Sequence, residues 1–164
     1  MSDDKREKLL DLVGEFENAM LVTRDRSDDL QARPMHVAAL DEDSGTITFT
    51  SNVGDEKMDE LRAHPSVCVS FQGGARYVSL TGRASINQDR DRIHALFEES
   101  WKLWYPEGPD QQDIALIEFE PVIGEYWDTS GSEGLSFALK AAKAYVTGKS
   151  MNAHADEHHA RTTV

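Results

Sequence analysis

The sequence predicts a mainly β protein, an antiparallel barrel with peripheral helices. Three observations carry that prediction. About seven short runs are rich in β-forming residues, several of them lie at hairpin spacing, and only short helical stretches interrupt them.

The elements follow in chain order. Ser2 is placed as an N-cap with Asp3 and Asp4 in a first turn, and Leu9, Leu12, Val13 and Phe16 fall on one face, predicting an N-terminal helix that Gly14 weakens near its end. The period then changes to two. Ala19 to Thr23 and Gln31 to Leu40 read as strands around a polar loop, Asp25 to Leu30. Asp41 to Gly45 links the second of these to the cleanly alternating Thr46-Ile47-Thr48-Phe49-Thr50 as a hairpin. Ser66 to Phe71 is a fourth strand, Gly73-Gly74 a turn and Tyr77 to Ile86 a fifth strand. Ile114 to Phe119 and Val122 to Trp127 are predicted as two strands separated near Pro121. Helices are predicted over Asp55 to Ala63, over Asp89 to Trp101 (Ile93, Phe97 and Trp101 at i, i+4, i+8) and over the alanine-rich Glu133 to Tyr145.

A chain of 164 residues suits one core. A single domain is expected over residues 1–148, followed by a polar tail, 149–164, that lacks periodicity and is expected to be disordered or loosely attached. At 29% charged residues, with no apolar run near the roughly 20 residues a bilayer span needs, no membrane segment is expected. The charged stretch Met1 to Lys8 does not resemble a signal peptide, so the cytoplasm is the expected location. A net charge of −13 disfavours nucleic acid as a partner, whereas a local basic pocket can still hold a small anion. Cys68 lies within Val67-Cys68-Val69-Ser70-Phe71 and is expected to be a buried thiol; as the single cysteine it has no intrachain partner.

Two stretches carry chemistry. In Thr48 to Met58 a strand ends in two hydroxyl residues, Thr50 and Ser51. A tight Asn52-Val53-Gly54 turn follows, and a helix opens with Lys57 in its first turn. Free N–H groups at a helix start, two hydroxyls and an ammonium suit a phosphate. The other reading makes Thr50 an edge residue, Ser51 or Asn52 a cap and Lys57 a solvated lysine. In Ala32-Arg33-Pro34-Met35-His36, Pro34 interrupts a strand, which places it at an edge or a distortion where main-chain groups are open to a ligand. Arg33 there either serves an anion or pairs with one of the many acids.

The ordered set of such pieces resembles the pyridoxamine 5′-phosphate oxidase-like FMN-binding split barrels, and within them the bacterial general stress protein branch. The pieces are Ala32-Arg33-Pro34-Met35, Phe49-Thr50-Ser51 followed by Lys57, and His64-Pro65 before the strand Val67 to Phe71. Tyr77 to Ala84, Trp104-Tyr105-Pro106-Glu107-Gly108 and Glu125-Tyr126-Trp127-Asp128 complete the set, which spans about residues 5 to 130. The resemblance implies an antiparallel split β-barrel and a homodimer with FMN at the interface. It implies that Arg33, Pro34 and Met35 line the flavin ring, that Thr50 and Ser51 face the ribityl chain and phosphate, that Lys57 pairs with the phosphate and that Trp127 approaches from the partner subunit.

The chain also departs from the oxidases proper. Their phosphate-binding turn carries an Arg-Lys pair, where this chain has Glu56 before Lys57, leaving Arg33 or Arg83 to compensate. Their C-terminal Arg-x-His and Arg-Leu-x-Pro segments are absent from this tail, so oxidation of pyridoxamine phosphate is not expected.

Trp101, Trp104 and Tyr105 either form a lid over a flavin or pack a helix end. His154, His158 and His159 lack the company of a zinc pattern and read as a solvated tail, so no metal is expected; Glu107, Asp110 and Asp113 read as solvated loop charges. Hydrolase, thioredoxin, nucleotidase and Rossmann motifs do not occur. The function expected is an FMN-dependent oxidoreductase with no evident acid–base residue. The alternative is a non-enzymatic protein that binds, stores or senses flavin. FAD ranks second as ligand, and a deazaflavin or a haem on His36 or His64 ranks below both.

Overall fold

The β-rich runs of the sequence form a closed sheet. The computed structural model describes residues 2–130, 143 and 159–164. Helix α1 (Ser2–Gly14) leads into β1 (Asn18–Arg24), β2 (Leu30–Leu40) and β3 (Ile47–Asn52), then α2 (Glu56–Ala63), β4 (Ser66–Gly73) and β5 (Arg76–Asn87). Helix α3 (Arg90–Leu96), a 3-10 turn (Glu99–Leu103), β6 (Ile114–Asp128) and β7 (His159–Thr163) complete the order. Neighbours in the sheet run β3-β2-β1-β4-β5-β6, and β3 also pairs with β6, closing a six-stranded antiparallel barrel. This is the mainly β, split-barrel architecture that the sequence predicts.

The barrel fills by period two. Ala19 and Leu21 of β1, Val67, Val69 and Phe71 of β4, and Val78 and Leu80 of β5 point inward and are buried. Leu9, Leu12 and Val13 of α1 and Met58 and Leu61 of α2 join the same cluster. Burying a side chain of this size contributes about 1.5–3 kcal/mol. A second cluster lies outside the barrel, where Ile93, Trp101 and Tyr105 pack on Ile114 and Leu116 of β6. That cluster seats the aromatic segment beside the end of β3.

β2 supplies the split. It pairs with β1 along its whole functional stretch, Leu30 to His36, but β3 meets it only at Val37, Ala39 and Leu40. The β2 edge before Val37 therefore has no strand from β3, and this is where Pro34, which has no N–H to donate, is tolerated.

Four expectations need correction. Residues 114–128 form one strand, not two. Thr81 faces Ile123 and Gly82 faces Pro121, so Val122 is the extra residue of a bulge and the strand passes through the proline. Gly82 makes this possible, because a Cβ there would sit 2.1 Å from the Glu120 carbonyl oxygen. The helix expected over Asp89 to Trp101 stops at Leu96, and Phe97 is extended (φ −63°, ψ 127°). That break turns Trp101 edge-on to Phe97, with ring centroids 5.4 Å apart, and into the second cluster.

The tail is ordered at its end. His159–Thr163 pair with Ile123–Trp127 on the part of the β6 edge that lies beyond β3. Main-chain pairing, which needs no apolar alternation, recruits this polar strand. Residues 149–158, and apart from Lys143 the expected helix Glu133 to Tyr145, lie outside the described residues. Cys68 is half-buried rather than buried, its sulfur 3.8 Å from the Ser79 hydroxyl. No helix among the described residues is long and apolar enough to cross a membrane.

Candidate functional site

The end of β3 and the start of α2 are joined by a turn built on Asn52. Its side-chain oxygen accepts from the Gly54 N–H at 2.8 Å, its amide donates to the Asp113 carboxylate, and the Val53 N–H donates to the Asp113 carbonyl at 2.8 Å. Asp113, expected to be a solvated loop charge, therefore braces this turn. Asp55 is the N-cap of α2 in an extended conformation, but its side chain makes no capping bond. It turns back toward the strand instead.

There Asp55 meets Ser51 and Lys57. The Asp55 Oδ2 accepts from Ser51 Oγ at 2.7 Å and from Lys57 Nζ at 2.5 Å, and Lys57 Nζ also donates to Ser51 Oγ at 2.9 Å. Burial pushes the Asp55 carboxyl up. Hydrogen bonds from Lys57 and Ser51, the Lys57 charge and the Asn52 N–H outweigh it, so the carboxyl titrates below its ordinary range and is ionised at neutral pH.

Opposite this triangle stands the aromatic segment. Trp101 and Tyr105 are buried in the second cluster, and Trp104 is 63% exposed. Burial raises the Tyr105 phenol, a hydrogen bond with Thr50 lowers it, and Asp55 and Asp113 raise it again; the net effect keeps it protonated. The third side is the open edge of β2. Pro34, Met35 and His36 from β2, Thr50, Ser51 and Asn52 from β3, Asp55 and Lys57, and Trp101, Trp104 and Tyr105 enclose a cavity of about 380 Å³. That size lies within the roughly 300–1,000 Å³ of small-molecule sites.

Five of the residues singled out in the sequence, Pro34, Met35, Thr50, Ser51 and Lys57, thus meet in one cavity. Two do not. Arg33 donates to the Glu60 carboxylate at 2.9 Å, Glu60 also accepts from Thr23 Oγ1 at 2.5 Å, and this network ties β2 and β1 to α2. Glu60 is 4% exposed, so Arg33 is its counter-charge and is not available to reinforce Lys57. Trp127 lies across the barrel on β6, opposite Tyr77 of β5, and stacks on His159 at 5.0 Å, while His159 Nε2 sits 2.6 Å from Glu125.

The sequence assigns Asn52 to a turn or a cap, His36 only to a haem and Asp113 to solvent, and gives Asp55 no role; the structure places Asn52, His36 and Asp55 in the cavity lining and Asp113 behind its turn. Glu56 was the acid singled out against the lysine, yet it is exposed and lies outside the cavity, and Asp55 is the one that faces Lys57. The signal was present: an N-cap carboxylate stands two residues before the lysine, where an extended backbone lets it turn back to the strand. Among the described residues no group of three or more His, Cys, Asp or Glu is arranged to hold a metal.

The donor set suits a ligand with an aromatic ring and an anionic end. Pro34, Met35 and Trp104 offer flat apolar contact, and Thr50, Ser51 and Lys57 offer hydroxyl and ammonium donors. Fold and cavity together define a closed antiparallel barrel split between two strands, with a mixed aromatic and polar site at the split. The chain belongs to the pyridoxamine 5′-phosphate oxidase-like family, whose model matches residues 4–152. It is 25% identical over 158 residues to Protein bli-3 of Neurospora crassa, covering 90% of this chain and 75% of that protein. A general stress protein 26 from Jannaschia sp. CCS1 has a similar fold, with a TM-score of 0.73, 23% identity and full coverage of both chains. So does a protein from Xanthomonas citri described as a general stress FMN/FAD binding protein, with a TM-score of 0.68, 20% identity and coverage of 79% of this chain and 92% of that one.

Proposed function

We propose that this chain is a cytoplasmic flavoprotein that binds FMN in the cavity between β2, β3 and the aromatic segment, with FAD the second choice, and that it works as an FMN-dependent oxidoreductase. The observation that carries the reading is the convergence of Pro34, Met35, Thr50, Ser51 and Lys57 on one cavity of ligand size. The Xanthomonas citri relative, described as binding FMN or FAD, supports it.

In this reading Pro34 and Met35 hold one edge of the ring and Trp104 covers it, while Thr50, Ser51 and Lys57 hold the ribityl and phosphate end. Bound flavin would supply reversible electron and hydride transfer, and the chain supplies placement and exclusion of water. At neutral pH Tyr105 is held protonated and Asp55 ionised, so this reading gives neither a proton-transfer role.

The same reading makes the chain a homodimer with flavin at the interface. The outer faces of β1, β4, β5 and β6 carry a shallow groove lined by Val22, Cys68, Thr81, Val122 and Ile123. Val122 of this groove is 52% exposed and Met20, two residues before Val22 on β1, is 39% exposed. Pro34 stands directly opposite Met20, so the mouth of the cavity continues onto that face. A second copy there would bring its Trp127, on the outer face of β6, toward the ring.

The test is an absorbance spectrum of the purified protein, its mass in solution, and oxidation of NADH and NADPH by the flavin-loaded form. Flavin bands, a dimer and turnover support the whole reading. Flavin bands without turnover across a broad panel of donors and acceptors favour the non-enzymatic binding or storage role.

A further inference from the structure

The ammonium of Lys57 and the hydroxyl of Ser51 converge on a single acceptor, the carboxylate of Asp55 (Oδ2 2.5 Å from Nζ and 2.7 Å from Oγ). All three line the cavity. A phosphate placed there would need these two donors, and it would bring its own negative charge against that of Asp55. Arg33 does not redress the balance, because its guanidinium is committed to Glu60. The lysine of the cavity is therefore already neutralised by the chain itself.

We infer that Asp55 is a specificity-determining residue: its carboxylate occupies the place of a ligand phosphate on Lys57 and Ser51, and a phosphorylated ligand binds only by displacing it. The cavity then selects its ligand chiefly by the ring and the sugar-alcohol chain and only weakly by the phosphate. This inference rests on the flavin reading of the site and concerns which flavin the cavity prefers. No bond is made or broken. Lys57 and Ser51 exchange one anionic acceptor for another, and the freed Asp55 side chain, whose residue lies at the cavity rim, turns to water.

The geometry allows the exchange. The Asp55 side chain is 44% exposed whereas that of Lys57 is 15% exposed, so the carboxylate has solvent to move into and the ammonium stays in place. The Asp55 side chain caps no backbone N–H of α2, so apart from its contacts with Lys57 and Ser51 the movement gives up only a long bond from the Asn52 N–H at 3.4 Å.

The experiment titrates the apo protein with FMN and with riboflavin, which differ only by the phosphate, and follows quenching of flavin fluorescence. The wild-type protein should prefer FMN over riboflavin by less than about tenfold, because the phosphate trades one ion pair for another. Asp55→Asn keeps the size and the acceptor oxygen, and should raise that preference by about tenfold or more through FMN alone, as a charge a few ångströms away is removed. Asp55→Ser, with a good N-cap side chain, should do the same and guards against a fold defect peculiar to the amide. A wild-type preference of a thousandfold, or variants that leave the FMN-to-riboflavin ratio unchanged or lower it, would overturn the inference while leaving the flavin reading intact. Wild-type protein that binds neither flavin would overturn both.

Discussion

Arg33 and Glu60 form an ion pair at 2.9 Å that fastens β2 to α2, with the carboxylate almost wholly buried and Thr23 as its second donor. The arginine that the motif Ala32-Arg33-Pro34-Met35 offers to a ligand is thereby a structural residue in this chain. Arg33→Ala strands a buried carboxylate, and should lower stability by about 2–3 kcal/mol, below the 3–5 typical of a fully buried pair because Arg33 keeps some solvent contact. Urea unfolding checks this. If stability is unchanged and flavin affinity falls instead, Arg33 belongs to the ligand site after all.

Lys57→Ala removes the ammonium and leaves Asp55 facing the cavity. FMN binding should weaken by about 1–3 kcal/mol, the worth of a charge-assisted hydrogen bond. Isothermal titration measures it, and equal affinity would remove Lys57 from the site.

The two tryptophans flanking the cavity should separate stability from binding. Trp101 is 2% exposed and anchors the second cluster, so Trp101→Ala should cost about 3–5 kcal/mol of stability. Trp104 is largely exposed; Trp104→Ala should leave stability within about 0.5 kcal/mol. It should nevertheless weaken flavin binding by about 0.5–1.5 kcal/mol through lost stacking. Thermal melts and flavin titrations on both variants decide whether Trp104 is a ligand contact.

Gly82 permits the bulge that carries β6 past Pro121. The atom that an alanine Cβ would meet, at 2.1 Å, is a main-chain carbonyl oxygen and has no rotamer to escape into. Gly82→Ala should therefore destabilise by about 1–3 kcal/mol or more as the β5–β6 ladder shifts. A melting temperature equal to that of the wild type would contradict the register.

Acid should unfold the protein from a definite set of carboxylates. Burial raises Asp55 and Asp128, yet Lys57 and Ser51 at the first and Ser130, Lys8 and Arg76 at the second bring both below the ordinary value of 3.8. Asp25 and Asp41, held chiefly by Gln31 and by the Ser44 N–H, are lowered as well. A depressed carboxylate contributes stability that is fully present above its unfolded value and is lost as pH falls through its folded one. Stability should therefore be flat with respect to these groups above about pH 5 and decline below about pH 4. Asp55→Asn should flatten part of that decline in a series of denaturant midpoints.

Much of the barrel was legible because its strands are amphipathic. Leu21, Val69 and Leu80 announce an inward face by alternation, and Thr48 to Lys57 announces a strand, a turn and a helix start. What stayed hidden depends on partners remote in sequence. Nothing local distinguishes Arg33 facing a ligand from Arg33 facing Glu60, 27 positions away. Pro121 reads as a break because the Gly82 that absorbs it lies on another strand. β7 has no apolar signature, since an open backbone edge recruits it. Asp55 was overlooked beside Glu56 because the side of the helix start that a residue takes is a matter of one backbone angle.

The cavity bounded by Pro34, Met35, Thr50, Ser51 and Lys57 is proposed to hold a flavin. Titration of the flavin-free protein with FMN and FAD, followed by absorbance and fluorescence, tests it most directly. FMN should bind saturably at one flavin per chain, FAD more weakly, and Trp104→Ala should lose affinity. Absence of saturable binding by either flavin, in protein shown to be folded, would contradict it.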